Sequence, residues 1–288
     1  MSIRKILVPL SSGASGEAAL ATGLLVAHNW GAHLLALHVR VDSRDVAPLA
    51  GEGLSGAMIE EMMAATEKES AERAALLKVL FDKAVAADGI ATDDPAAVQN
   101  HATASFASAI GREEDVVAQQ ARLADLTVVA HPETGGDAAS ADALHAVLFD
   151  SGRPVLLAPG TTPGHIGRRI CLAWNGTAES ASAVTAALPW LKHAEAVRIL
   201  ASEGYQRRGP AAEDLAPYLA LHGIATDRGT IQPIGGVVGA GILAAAEEFG
   251  ADLLTMGAYS HSRLRQLILG GVTRHMLEHA QLPILMHR

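Results

Sequence analysis

"KILVPLS" (Lys5 to Ser11) and "RICLAWN" (Arg169 to Asn175) begin the two halves of the chain alike: a basic residue, an unbroken apolar run, a small polar residue. Two further stretches repeat in the same order. "ADLTVVAHP" (Ala124 to Pro132) returns as "ADLLTMGAY" (Ala251 to Tyr259), and "RPVLLAP" (Arg153 to Pro159) returns as "LPILMHR" (Leu282 to Arg288). Ordered self-similarity marks a duplicated unit. The shift is about 164 residues from Ile6 to Ile170 but about 127 from Ala124 to Ala251, so the first half carries roughly 37 extra residues between these strands.

The extra residues fall in "AGEGLSGAMIEEMMAATEKESAERAALLKVLFDKAVAADG" (Ala50 to Gly89). Met58, Met62, Leu76, Leu80 and Ala84 recur there at helical spacing among Glu and Lys, which predicts one long amphipathic helix, or two, with the methionines as packing residues. Elsewhere short apolar runs alternate with helical patterns. Near-continuous runs such as "KILVPL" and "DLTVVA" suit a parallel sheet covered on both faces. The first half reads as strand 3–10, helix 15–28, strand 33–39, helix about 55–88, strand 99–107, helix 113–123, strand 125–130, helix 140–148 and strand 154–158. The second reads as strand 169–174, helix 178–192, strand 196–201, helix 211–221, strand 225–232, helix 238–249, strand 252–257, helix 271–280 and strand 283–287. "PGTTPGHIG" (Pro159 to Gly167) links them. The expected architecture is α/β: two tandem Rossmann-like domains, 1–159 and 168–288, each an open five-stranded parallel sheet with helices on both faces.

Composition narrows the function. The 288 residues are 49% hydrophobic and 18% charged, and the net charge of -9 argues against a nucleic-acid-binding face. The single cysteine, Cys171, lies in an apolar run, so no disulfide framework is expected and the compartment reads as reducing. No run approaches the length of a membrane span, and the N-terminal apolar run is too short for a signal peptide. We expect a cytoplasmic, unanchored protein.

Ligands of open parallel sheets sit outside the carboxyl ends of the strands, where strand order reverses. In the second half those ends are "AWNG" (Ala173 to Gly176) and "MGAYSHSRLRQLILGGVTRH" (Met256 to His275). Gly257, Ser260 and the pair Gly270–Gly271 stand at the spacing glycine, two residues, a second small residue, nine residues, glycine. This resembles the nucleotide loop of the universal stress protein family, where the pattern is glycine, two residues, glycine, nine residues, glycine, then serine or threonine. Both halves share the resemblance, as in a tandem member. It implies an adenine nucleotide, ATP or AMP, on Trp174, Asn175, Gly257, Ser260, His261, Ser262, Arg263, Gly270, Gly271, Val272 and Thr273. Glycines let amides turn toward phosphate oxygens, and a helix N-terminus favours anions. Arg265 adds charge nearby. Ser260 replaces the family's second glycine, Gly271 its serine or threonine, and Asn175 its aspartate, which leaves Mg²⁺ binding open. In the first half Ser11 holds the aspartate position, Ala130 aligns with Gly257, and Glu133 and Asp137 would repel phosphates, so that copy reads as degenerate.

Three other motifs compete. "HMLEH" (His275 to His279) has the H-x-x-E-H spacing of a zinc enzyme, but no carboxylate follows it, and only His287 remains to complete a metal site. "PIGGVVGAG" (Pro233 to Gly241) reads as the start of a helix, because its glycines are not spaced G-x-G-x-x-G. "SSGASGE" (Ser11 to Glu17) lacks the residues of a pyrophosphate loop. No nucleophile–base pair or carboxylate pair stands at either strand end of the second half, so catalysis beyond weak ATP hydrolysis is not expected. The resemblance implies a stress-response or regulatory module; the alternatives are a ligand-free structural dimerisation module and an enzyme of the wider adenine-nucleotide α-hydrolase-like superfamily. The terminal strands "PVLLAP" and "PILMHR" are short and begin with proline, as sheet edges do. The family resemblance implies that such edges pair across a dimer, so in a tandem chain we expect them to pair antiparallel as an intramolecular pseudo-dimer, with a homodimer left open and no nucleic-acid or membrane partner.

Overall fold

The computed structural model describes residues 2–42, 55–92, 101–132, 138–202, 204–207, 209–259 and 271–288. The first half runs β1 (Lys5–Pro9), α1 (Ala14–Trp30), β2 (His33–Arg40), α2 (Gly56–Ala87), β3 (Thr103–Ile110), α3 (Glu113–Ala121), β4 (Leu126–Ala130), α4 (Ala138–Asp150), β5 (Val155–Ala158). The second runs β6 (Arg169–Ala173), α5 (Ala178–Leu191), β7 (Ala196–Ala201), α6 (Ala212–Leu221), β8 (Asp227–Thr230), α7 (Val238–Phe249), β9 (Leu253–Gly257), α8 (Val272–His279), β10 (Ile284–His287). All ten strands join one open sheet in the order β3-β2-β1-β4-β5-β10-β9-β6-β7-β8. Neighbours are parallel except at the centre, where β5 and β10 run antiparallel.

The apolar runs are continuous because both faces of the sheet are covered. In β1, Ile6 and Val8 enter one core with α1, α2, α5 and α6, while Leu7 enters the other with α3, α4, α7 and α8. Each core contains residues of both halves. At the centre Leu157 faces Ile284, Leu156 faces Leu285 and Val155 faces Met286, all fully buried. The prolines before these strands keep the ladder through their carbonyls: Pro154 accepts from the Thr127 amide (3.2 Å) and Pro283 from the Leu254 amide (3.0 Å). Trp30 and Trp190, at the ends of α1 and α5, meet edge to face across the junction at 5.4 Å.

Two expectations need correction. The insertion is one 32-residue helix, α2, about 48 Å long at 1.5 Å per residue. Its buried residues are Leu77, Phe81 and Val85, near its C-terminus; Met58 and Met62 are exposed rather than packed, because α2 meets the sheet only near that end, and Leu76, beside Leu77, is exposed because it lies off the packed face. The strand expected at 99–107 is Thr103–Ile110 and pairs with β2 along its whole length. "PIGGVVGAG" does start a helix: Gly235 and Gly236, at φ 59 and 78, turn the chain so that the Val237 amide donates to Ile234, and α7 begins at Val238.

Candidate functional site

Strand order in the second half reverses between β6 and β9, and the crevice at their carboxyl ends is the place a sheet of this kind offers a ligand. From β6 come Trp174 and Asn175, 5% and 7% exposed. The Trp174 indole N–H donates to the Pro210 carbonyl (2.9 Å), and the Arg207 amide donates to the Asn175 carbonyl (2.8 Å). The segment after β7 is thereby folded back over the end of β6. Asn175 Oδ1 accepts from the Thr177 amide (3.2 Å) and hydroxyl (2.9 Å), and Thr177 Oγ1 in turn accepts from the Ser180 amide to cap α5. Asn175 is thus spent on a turn that starts a helix, a role asparagine suits through its short polar side chain. Its amide carries no charge, and its oxygen already accepts twice, so it is a poor Mg²⁺ ligand.

From β9 comes Gly257. A Cβ there would lie 2.5 Å from the Ser180 nitrogen and 2.6 Å from the Glu179 carbonyl carbon, so the first turn of α5 rests directly on this residue. Two residues on, Tyr259 is held at φ 54, a left-handed conformation unusual for a bulky residue. Its amide donates to the buried Thr273 hydroxyl (3.4 Å), which ties the end of β9 to the first turn of α8. Gly271 caps α8 at φ -95 with no side-chain hydrogen bond, and an added Cβ would meet nothing within 4 Å.

Beside that helix start, Arg207, Gly239, Gly271, Val272, Arg274 and His275 line a cavity of about 430 Å³ between the N-termini of α7 and α8. Arg274 is engaged by Glu278 (2.7 Å), and this hydrogen bond holds the Glu278 carboxyl below its usual range. Burial, and then the neighbouring His279, push His275 below the ordinary histidine value. Its ring packs where a Cβ on Gly239 would be, and it stacks on His279 at 4.2 Å. His279 Nδ1 donates to the His275 carbonyl (3.1 Å), and among the described residues no three His, Cys, Asp or Glu side chains cluster for a metal.

The structure therefore brings Gly257, Gly271, Val272 and Thr273 to one end of the sheet. Trp174 and Asn175 lie on the neighbouring strand, turned to other partners. Ser260, His261, Ser262, Arg263, Arg265 and Gly270 lie outside the described residues, as do Glu133 and Asp137. In the first half Ala130 is buried, and His131 donates from Nε2 to the Met276 carbonyl of α8 (3.3 Å). Tyr259 reciprocates. Its hydroxyl shares a hydrogen bond with His145 Nε2 of α4 (2.8 Å), and its ring lies 5.2 Å from Phe149. Nothing in the sequence marked Tyr259, His145, Thr177 or Arg207, because each acts through a contact distant in the chain or through a local cap.

The sequence profile of the universal stress protein family matches residues 168–288. The match covers the second half of the chain, which is similar in sequence to that family. The fold likeness extends over both halves. A universal stress protein from Archaeoglobus fulgidus DSM 4304 is similar over 99% of this chain and 98% of its own, with a TM-score of 0.67 at 14% identity. A functionally unknown protein from Pseudomonas aeruginosa PAO1 gives 0.53 at 15% identity over 99% and 92%. A putative universal stress protein from Pseudomonas aeruginosa UCBPP-PA14 gives 0.52 at 15% over 99% and 93%. No curated protein matches the chain. Among the described residues, no helix is long and apolar enough to cross a membrane.

Proposed function

We propose that this chain is a tandem universal stress protein, a cytoplasmic stress-response module of two domains, 1–159 and 168–288, that binds one ATP or AMP in the second. The observation that carries this reading is the Tyr259–Thr273 hydrogen bond, which draws the two ends of the glycine-bracketed stretch together at the crevice. Phosphate oxygens would meet the first-turn amides of α8, where Gly271 leaves open space and the helix dipole favours an anion. Gly257, Ser260 to Arg263 and Gly270 would complete the cradle, with Trp174 and Asn175 lining the β6 side. Asn175 gives no support to a tightly held Mg²⁺, and the residues supply binding rather than a nucleophile or base.

Calorimetric titration with ATP tests this reading: no more than one site per chain is expected. Gly270→Asp should abolish binding by placing a carboxylate among phosphate oxygens, and Ala130→Asp should leave it unchanged. Two equivalent sites, or none with the fold intact by circular dichroism, would sink the proposal. Chromatography of the supernatant from acid-precipitated protein should release the co-purified adenine nucleotide.

A ligand-free structural module is the second reading. It draws on the β6 end, where Trp174 and Asn175 are both engaged by the segment 204–210 and a Cβ on Gly176 would lie 2.9 Å from the Pro210 oxygen.

A further inference from the structure

The cradle reading leaves unexplained why a tyrosine stands at φ 54 immediately before it. A bulky residue holds such a conformation only where its surroundings over-determine it. From the second half, the Thr273 hydroxyl accepts from the Tyr259 amide. From the first half come His145 Nε2 at 2.8 Å from the hydroxyl, the His145 ring at 5.5 Å and the Phe149 ring at 5.2 Å. Phe149 is itself backed by the Arg288 guanidinium, 4.3 Å from its ring centre, on the residue after β10. Backbone from β9, a hydroxyl from α8 and an aromatic pair from α4 thus converge on one residue.

We propose that Tyr259 is a positioning residue through which the first half sets the N-terminus of α8 against the end of β9, and so sets the affinity of the second half for a nucleotide's phosphates. The proposal rests on the nucleotide reading and adds its regulation: a domain with a degenerate site of its own supplies a rigid brace for its neighbour's site. The geometry is reciprocal but unequal. On the other side of the junction His131 donates to a main-chain carbonyl of α8, a bond independent of the side chain at that position. The Tyr259–His145 bond joins two side chains.

The test uses the full chain with ATP and adenosine as probes. Tyr259→Phe removes only the hydroxyl, while His145→Leu removes its partner together with the ring packed against Tyr259. Each should weaken ATP binding about 3- to 10-fold, the range of one hydrogen bond, while adenosine, which has no phosphate, binds as before. The double variant should be no weaker than His145→Leu alone, because both changes remove the same bond. His145→Gln, which keeps a nitrogen at the reach of Nε2, should restore most of the affinity. Equal weakening of ATP and adenosine, additive losses, or unchanged ATP binding would each overturn the proposal. If the wild-type chain binds no ATP, the nucleotide reading falls, but the brace is still measurable. Tyr259→Phe should then speed amide exchange at residues 257–259 and 271–273 without lowering the unfolding midpoint, and unchanged exchange would overturn it.

Discussion

The two halves hold the amino ends of their strands in one way and the carboxyl ends in another. At the amino end each "ADL" repeat places a carboxylate under the first strand. Asp125 Oδ2 accepts from the Arg4 and Lys5 amides at 2.8 and 3.0 Å, while Asp252 accepts from the Gly167, Arg168 and Arg169 amides, all at 3.0 Å. At the carboxyl end the copies part. The first half leaves β1 through Gly13, at φ 93, and Gly16, where a Cβ would run into the Ser11 carbonyl. The second leaves β6 through the Asn175–Thr177–Ser180 hydrogen bonds. Gly257 stands where the first half has Ala130, and Tyr259 where it has Pro132. The amino ends thus carry the fold, and the carboxyl ends are free to specialise, which is where sheets of this kind put their ligands.

The largest effect should come from the seam the halves share. Leu156 and Leu285 are fully buried partners across the β5–β10 pair, and truncating either to alanine should cost about 2–5 kcal/mol. The two losses should be similar, and the double variant should fall short of their sum, since each empties part of one space. Urea unfolding measures all three. A cheap Leu156→Ala beside a costly Leu285→Ala would show that the halves are not equal partners in the sheet.

Next come the carboxylate clips. Asp252→Ala leaves three strand-end amides without their acceptor, and its side chain is only 11% exposed, so a loss of about 1.5–3 kcal/mol is expected. Asp125→Ala removes two such bonds rather than three and should cost less. Equal midpoint shifts would mean that the bond count does not decide the difference.

This contrast also explains what was legible in the sequence. The strands could be read because burial on both faces forces an unbroken apolar run; prolines marked the edge strands, and only the family resemblance suggested that those edges pair. The duplicated aspartates stood in plain view, but a carboxylate's use as a backbone acceptor depends on where the preceding segment passes. Asn175 is singled out because it stands at the family's aspartate position; its two bonds to Thr177 give the same residue a turn role that the sequence did not show. Gly257 fitted a phosphate pattern, and its close contact with α5 gives a packing reason for the same glycine. The α2 methionines kept helical spacing without packing, since periodicity shows that a helix has an apolar stripe and says nothing of how far a neighbour extends along it.

Acid should separate the copies further. His38, at the end of β2, is 8% exposed and its Nε2 has no hydrogen-bond partner among the described residues; the second half has Ala201 in that register. Burial holds His38 below the ordinary value of 6.5, helped by Arg73 and Arg40 and opposed by a hydrogen bond with the Leu10 backbone. Above pH 6.5 the ring is neutral in both folded and unfolded chains, so it costs nothing. As pH falls through 6.5 the unfolded chain takes up the proton first, and stability drops until the folded ring also titrates. His38→Gln should flatten that drop in urea midpoints taken on either side of pH 6.5. His275 and His287, also lowered by burial, keep the rest of the slope. An unchanged slope would remove His38 from the acid response.

The smallest effect tests the helix start where a phosphate would sit. Thr177 caps α5 with its hydroxyl, whereas Gly271 caps α8 with none, yet Gly271 has an ordinary extended backbone and open space around a missing Cβ. Gly271→Ser should therefore enter without strain and stabilise α8 by a few tenths of a kcal/mol, the usual gain of serine over glycine at this position. Thr177→Gly should lose about the same amount. The unfolding midpoint would move by about 1 °C in each case, in opposite directions. Binding carries the sharper signal. A serine that turns its oxygen onto the α8 amides competes with a phosphate for them and should weaken ATP, while one that donates to the phosphate should tighten it. We expect tightening, because the cap bond is a neutral one and the phosphate bond is charge-assisted. Weaker ATP binding together with a raised midpoint would show that the first-turn amides of α8 prefer their own cap, and would shift the anion away from this helix.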